Sequence, residues 1–149
     1  MKKTLLTLAT VLLISINSFG QIMKPVTWSY AAKRINASEA IIYMKATIDK
    51  GWHLYSQFVK EGGPVKTTFT FNPAPGYSLI GKTTEPKPVT RHEPTFKMDV
   101  SFFEQSAIFQ QKIKLKGKST TVKGKVEFMV CNDTQCLPPD EVEFNVPVK

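Results

Sequence analysis

Cysteine is nearly absent from this chain. There are two, Cys131 and Cys136, so no closed all-sulfur zinc site can be assembled from them. Histidine is equally scarce: His53 and His92 are the only two, and neither stands at metal-ligand spacing from the other or from the cysteines. A mixed site using both pairs is the one zinc arrangement left, and the spacing disfavours it. Beyond residue 20 no apolar run is long enough to cross a bilayer as a helix. Helical periodicity is missing too, with one turn within Ala31–Ala40 as the most that the sequence offers after Ser18. The formal net charge is +8, yet the basic residues are scattered and lack interleaved aromatics, which argues against a nucleic-acid surface. Lys112, Lys114, Lys116 and Lys118 alternate along a strand-like segment and mark its solvated side. The remaining bias is a weak one, toward acidic partners. No repeat, low-complexity tract or linker divides the chain.

What is present begins with a leader. Lys2 and Lys3 precede an apolar stretch from Thr4 to Ile16, and Ser18 and Gly20 supply small residues before Gln21. This order describes a secretory signal over residues 1–20. No cysteine lies near the cleavage point to take a lipid. Residues 21–149 suit one domain with a real core, and the mature protein is expected to be exported. Export places the cysteines where disulfides form and persist, and their even number leaves no thiol over. No metal or cofactor is expected.

The mature chain reads as successive short strands. Val26, Trp28 and Tyr30 alternate with polar residues; Glu39–Asp49, Gly51–Tyr55, Lys66–Asn72, Met98–Phe103, Ser106–Lys116, Thr120–Val130 and Glu141–Val148 follow. Proline and glycine break them, most plainly at Pro73-Ala74-Pro75-Gly76. This pattern predicts an all-β antiparallel sandwich. Thr83–Lys97 is the least strand-like part, with three prolines and one large apolar residue, Phe96. A loop of that length is either functional or a plain surface connection.

The cysteines sit in VCNDTQCLPP, with Asn132, Asp133, Thr134 and Gln135 between them. A staple across so short a loop stabilises by roughly 2 kcal/mol, against about 4.7 kcal/mol for a hundred-residue loop. A bridge meant for stability gains more by joining distant strands. A close pair, by contrast, can pass between dithiol and disulfide with little backbone movement. The turn-forming residues between the cysteines would hold them at an exposed hairpin end. The spacing is not that of thioredoxin, and no helix N-terminus lowers a thiol pKa. That combination suits a modest nucleophile with a matched partner. Redox exchange is favoured over the staple, which stays open.

Two segments, DKGWHLYSQ in the first half and VCNDTQCLPP near the end, give this β-rich chain a further meaning. From about Trp28 to Val148 it resembles the N-terminal domain of the bacterial DsbD thiol:disulfide interchange reductases. Four residues separate the cysteines here, where the best-known members are expected to have five. The resemblance implies an immunoglobulin-like fold, a periplasmic location and a cysteine pair that relays electrons between thioredoxin-like domains and periplasmic disulfide proteins through transient mixed disulfides. It makes Cys136 the partner-linking sulfur and Cys131 the resolving one. It also implies a cap loop over Arg91–Met98 with Phe96 as the covering aromatic, Tyr55 and His53 lining the site, and Glu93 as a nearby acid. The alternative from another class is a secreted immunoglobulin-like binding module with a structural disulfide.

Overall fold

The computed structural model describes residues 23–149; the leader expected over residues 1–20 lies outside the described residues. The strands are β1 (Val26–Arg34), β2 (Glu39–Ile48), β3 (His53–Tyr55), β4 (Thr68–Phe71), β5 (Tyr77–Thr84), β6 (Val89–Glu93), β7 (Met98–Phe103), β8 (Ser106–Leu115), β9 (Thr120–Phe128), β10 (Val130–Cys131) and β11 (Asp140–Val148). Every pairing is antiparallel, and no helix occurs among the described residues. Three sheets result, ordered β1-β2-β8-β5, β11-β9-β4 and β10-β3-β7-β6. The whole is an antiparallel β-sandwich, as the alternating strands predict, of the immunoglobulin-like kind that the resemblance implies.

Alternation builds the main core. Ala40, Ile42, Met44, Ala46 and Ile48 point inward from β2; Val122, Val126 and Phe128 do so from β9, and Phe144, Val146 and Val148 from β11. Trp28 joins the layers, with ring centroids 5.7 Å from Phe69, 5.9 Å from Phe109 and 5.5 Å from Phe128. Such aromatic pairs each add about 0.5–1.5 kcal/mol beyond the area they bury. Gly124 lies in mid-strand opposite both Phe144 and Phe71, and a Cβ there would collide with the Thr70 carbonyl and the Phe144 ring.

The structure corrects several local expectations and adds one strand. Thr83–Lys97 is not a long loop: its centre is β6, paired with β7 from Val89↔Phe102 to Glu93↔Met98. β6 is an edge strand, so most of it is exposed and no inward apolar alternation advertises it. Tyr77–Thr84 is a strand that the sequence hides behind a bulge between Ile80 and Thr84, where Gly81 takes φ +66°. Buried Gln111 is satisfied at this bulge, accepting from Thr83 Oγ1 at 2.9 Å and donating to the Ile80 carbonyl at 3.2 Å. Ala31–Ala40 holds no helical turn; it is the end of β1, a bend and the start of β2. Of the four alternating lysines, only Lys112 and Lys114 lie on β8, and Lys112 Nζ meets Glu39 at 3.0 Å.

One break in a strand matters most for function. The expected continuous strand Thr120–Val130 divides at Met129. β9 stays with β11 and β4, while β10 crosses to pair with β3. That crossing carries Cys131 out of the three-stranded sheet and into the sheet β10-β3-β7-β6, which has four strands but is small because all of them are short.

Candidate functional site

The small sheet β10-β3-β7-β6 is covered on both faces over its centre. Leu54, Phe103 and Val130 face the main core, whereas Tyr55, Val100, Phe102 and Cys131 form a second buried cluster. Because side chains alternate along a strand, His53 and Tyr55 of β3 share this second face. Register fixes the neighbours: Cys131 stands opposite His53, and Tyr55 opposite Phe102. On β6, Arg91 pairs with Val100 and Glu93 with Met98.

The cysteine turn closes above this face. Cys131 and Cys136 form a disulfide with Cα atoms 4.0 Å apart, as opposed residues of an isolated antiparallel bridge. The Leu137 N–H donates to the Val130 carbonyl at 3.0 Å, and the Asn132 N–H to the Gln135 carbonyl at 2.9 Å. Asn132 Oδ1 accepts three further bonds, from the N–H and Oγ1 of Thr134 and the N–H of Gln135, at 2.9, 3.0 and 2.8 Å. This asparagine-centred turn is held by bonds that do not involve sulfur. Leu137, directly after the turn, packs against the main core. The two cysteines differ in exposure: Cys131 is 2 % exposed, and Cys136 is exposed.

A second turn, Pro94–Lys97 between β6 and β7, faces the first. The Phe96 N–H donates to the Glu93 carbonyl at 3.1 Å, and Lys97 closes the turn with φ 53°. The Phe96 ring packs on the cluster of Tyr55, Val100, Phe102 and Cys131, edge-on to Tyr55 with centroids 6.3 Å apart. Between the two turns lies an open cleft of about 390 Å³.

Charge is arranged around the aromatic floor. Arg91 holds Glu93 at 3.1 Å and places its guanidinium 4.8 Å from the Phe102 ring centre. His53 Nε2 lies 3.3 Å from Tyr55 Oη. Burial pushes the Tyr55 hydroxyl up to about 12 and pulls the His53 imidazole below its usual range. His92, at the mouth, contacts Asp99 at 3.1 Å, and both side chains are largely exposed.

All six residues singled out from the sequence, Cys131, Cys136, Phe96, Glu93, Tyr55 and His53, line this one cleft. Sequence reasoning did not single out Phe102, and it gave Arg91 only as the start of the cap segment and Asn132 only as a turn residue. Phe102 was hidden in MDVSFF, where Phe102 and Phe103 are both buried because the strand is covered on two sides. Asn132 was legible as a turn-former, though not as the triple acceptor. No group of three or more histidine, cysteine or acidic side chains is disposed to hold a metal among the described residues.

The fold and the site define an immunoglobulin-like β-domain that bears a short-range disulfide, one cysteine buried and the other exposed, in a cleft shared with an aromatic turn. The chain belongs to the family described as the N-terminal domain of thiol:disulfide interchange protein DsbD, whose model matches residues 22–147. Solved structures share the fold at low identity. The N-terminal domain of Neisseria meningitidis DsbD in its reduced form is 15 % identical with a TM-score of 0.53, over 87 % of this chain and 91 % of that one. The N-terminal periplasmic domain of Proteus mirabilis ScsB is 14 % identical with a TM-score of 0.61, over 85 % of this chain and 49 % of that one. A complex of the Neisseria meningitidis DsbD and PilB N-terminal domains gives 15 %, 0.55, 85 % and 88 %. No curated protein sequence matches the chain.

Proposed function

We propose that this chain is a periplasmic electron-relay domain. It passes reducing equivalents between thioredoxin-like proteins through Cys131 and Cys136. The observation that carries this reading is the asymmetry of the disulfide: Cys136 is exposed and Cys131 is 2 % exposed. Exchange requires a thiolate to reach one sulfur along the S–S axis and displace the other. A donor thiolate can reach Cys136, form a mixed disulfide there and release Cys131 as the leaving thiolate. The donor's second thiol then attacks its own linked sulfur, leaving as a disulfide while this domain keeps both electrons as a dithiol. The reverse sequence reduces an acceptor: Cys136 attacks, and Cys131 resolves.

Family membership supports this chemistry, and the DsbD–PilB complex supports a protein partner for such a domain. The leader over residues 1–20 supports export, and the ScsB domain of the same fold is periplasmic. Phe96 acts as the cap, shielding the pair until a partner displaces it. Tyr55 and His53 form the lining, and Glu93 holds Arg91 against the floor.

Trapping tests the reading. In its native periplasm, Cys131→Ser leaves Cys136 without a resolving thiol, so mixed disulfides with thioredoxin-like proteins should accumulate and disappear on adding reductant. Cys136→Ser should yield none. A folded Cys131→Ser protein that captures no partner would favour a binding module with a structural bridge.

A further inference from the structure

We propose that His53 is the proton acceptor for the Cys131 thiol in the resolving step, an assignment that rests on the relay reading above. Cys131 is nearly fully buried, and burial in apolar surroundings holds a thiol in its protonated form. Yet the resolving sulfur must attack as a thiolate. The fold supplies few of the usual remedies. No helix N-terminus lies among the described residues, and the one guanidinium on this face, Arg91, is occupied by Glu93 and the Phe102 ring. The proton therefore needs a base.

His53 is placed for that task by register. It is the cross-strand partner of Cys131, and directly opposed residues share a face with Cβ atoms about 4.5–5.5 Å apart. Both line the same cleft. His53 is 4 % exposed, and its ring lies 4.8 Å from Phe102 and 5.5 Å from Tyr55 by centroid. Its Nε2 reaches Tyr55 Oη. With Nε2–H donating to that oxygen, Nδ1 keeps the lone pair. Burial, the largest influence, keeps the ring neutral at neutral pH. Among the charged groups facing it, Glu93 of β6, Glu104 after β7 and Asp133 of the cysteine turn favour an imidazolium, and Arg91 opposes it. The ring is thus empty at rest and can carry a proton briefly.

The step balances. In the mixed disulfide, Cys131 gives its proton to His53 and attacks Cys136 Sγ. The Cys131–Cys136 bond forms, and the bond from Cys136 to the partner breaks. The partner sulfur leaves with the electron pair and takes up a proton, either from the imidazolium or from water. The partner is reduced and this domain is oxidised.

The test uses the reduced mature protein and dithiodipyridine, whose released thiopyridone is followed by absorbance. The first release reports attack by Cys136, and the second reports resolution by Cys131. In the unsubstituted protein, the second rate should level off above the depressed pKa of the imidazole and fall below it. In His53→Gln, the ratio of second to first rate at neutral pH should drop about tenfold or more. The second rate should then climb about tenfold per pH unit, as a free thiol below its pKa does. His53→Tyr keeps an aromatic ring against Tyr55 and Phe102, and should show the same loss if the glutamine variant folds poorly. A normal first release with an unchanged ratio and pH slope in a folded variant would overturn this assignment alone. No first release from the unsubstituted protein would overturn the relay reading, and this assignment with it.

Discussion

Phe96→Ala is expected to speed the reaction of the reduced cysteine pair with a small disulfide by about tenfold, equivalent to about 1.4 kcal/mol. Melting temperature should move by only a few degrees. The ring is half-buried, meets Tyr55 edge-on and rests on the cluster that includes Cys131. One edge-on aromatic contact contributes about 0.5–1.5 kcal/mol, which is the scale of a cover that opens on demand. The turn beneath it has backbone hydrogen bonds of its own, from Phe96 to Glu93 and from Lys97 to Pro94, so it should survive loss of the ring. Reaction rates with the small disulfide and thermal melts of both proteins provide the check. Unchanged reactivity with a stability loss of about 3–5 kcal/mol would instead make Phe96 a core anchor.

Phe102→Ala should do the opposite, costing about 3–5 kcal/mol of folding stability. Phe102 is 1 % exposed at the centre of the small sheet. Arg91 lies over its ring, His53 tilts against it, and it shares a buried cluster with Tyr55, Val100 and Cys131. Truncation opens a cavity that neighbours covered from both sides cannot readily fill. Denaturant unfolding of the oxidised protein measures the loss. A cost below about 1 kcal/mol would mean that the site face is not packed as described. Together the two substitutions separate a movable cover from a fixed floor.

The sandwich was legible because its central strands alternate cleanly, as in Ala40, Ile42, Met44, Ala46 and Ile48 of β2. The cysteine pair was legible because only two exist and turn-formers separate them. Elements that lack a solvated side or a buried side were harder to read. β6 has little buried surface to impose alternation, and β3 is buried at all three positions, so its period is invisible. The bulge in β5 interrupted the pattern of a strand whose Leu79 faces solvent. The crossing at Met129 left no local mark, because Phe128 and Val130 are equally apolar. Yet that crossing sets Cys131 opposite His53. Glu93 and Phe96 were placed by resemblance, while the pairing of Glu93 with Arg91 and the cation over Phe102 are properties of the folded hairpin.

The central claim is that Cys131–Cys136 is a working couple, held in a turn whose asparagine-centred hydrogen bonds do not depend on the S–S bond. Its reduction potential tests this most directly. The mature protein would be equilibrated against a thioredoxin of known potential, with alkylation of free thiols to count the reduced fraction. A potential above about −300 mV is expected, within reach of periplasmic thioredoxin-like partners. A value below about −300 mV is that of a structural disulfide and would contradict the account.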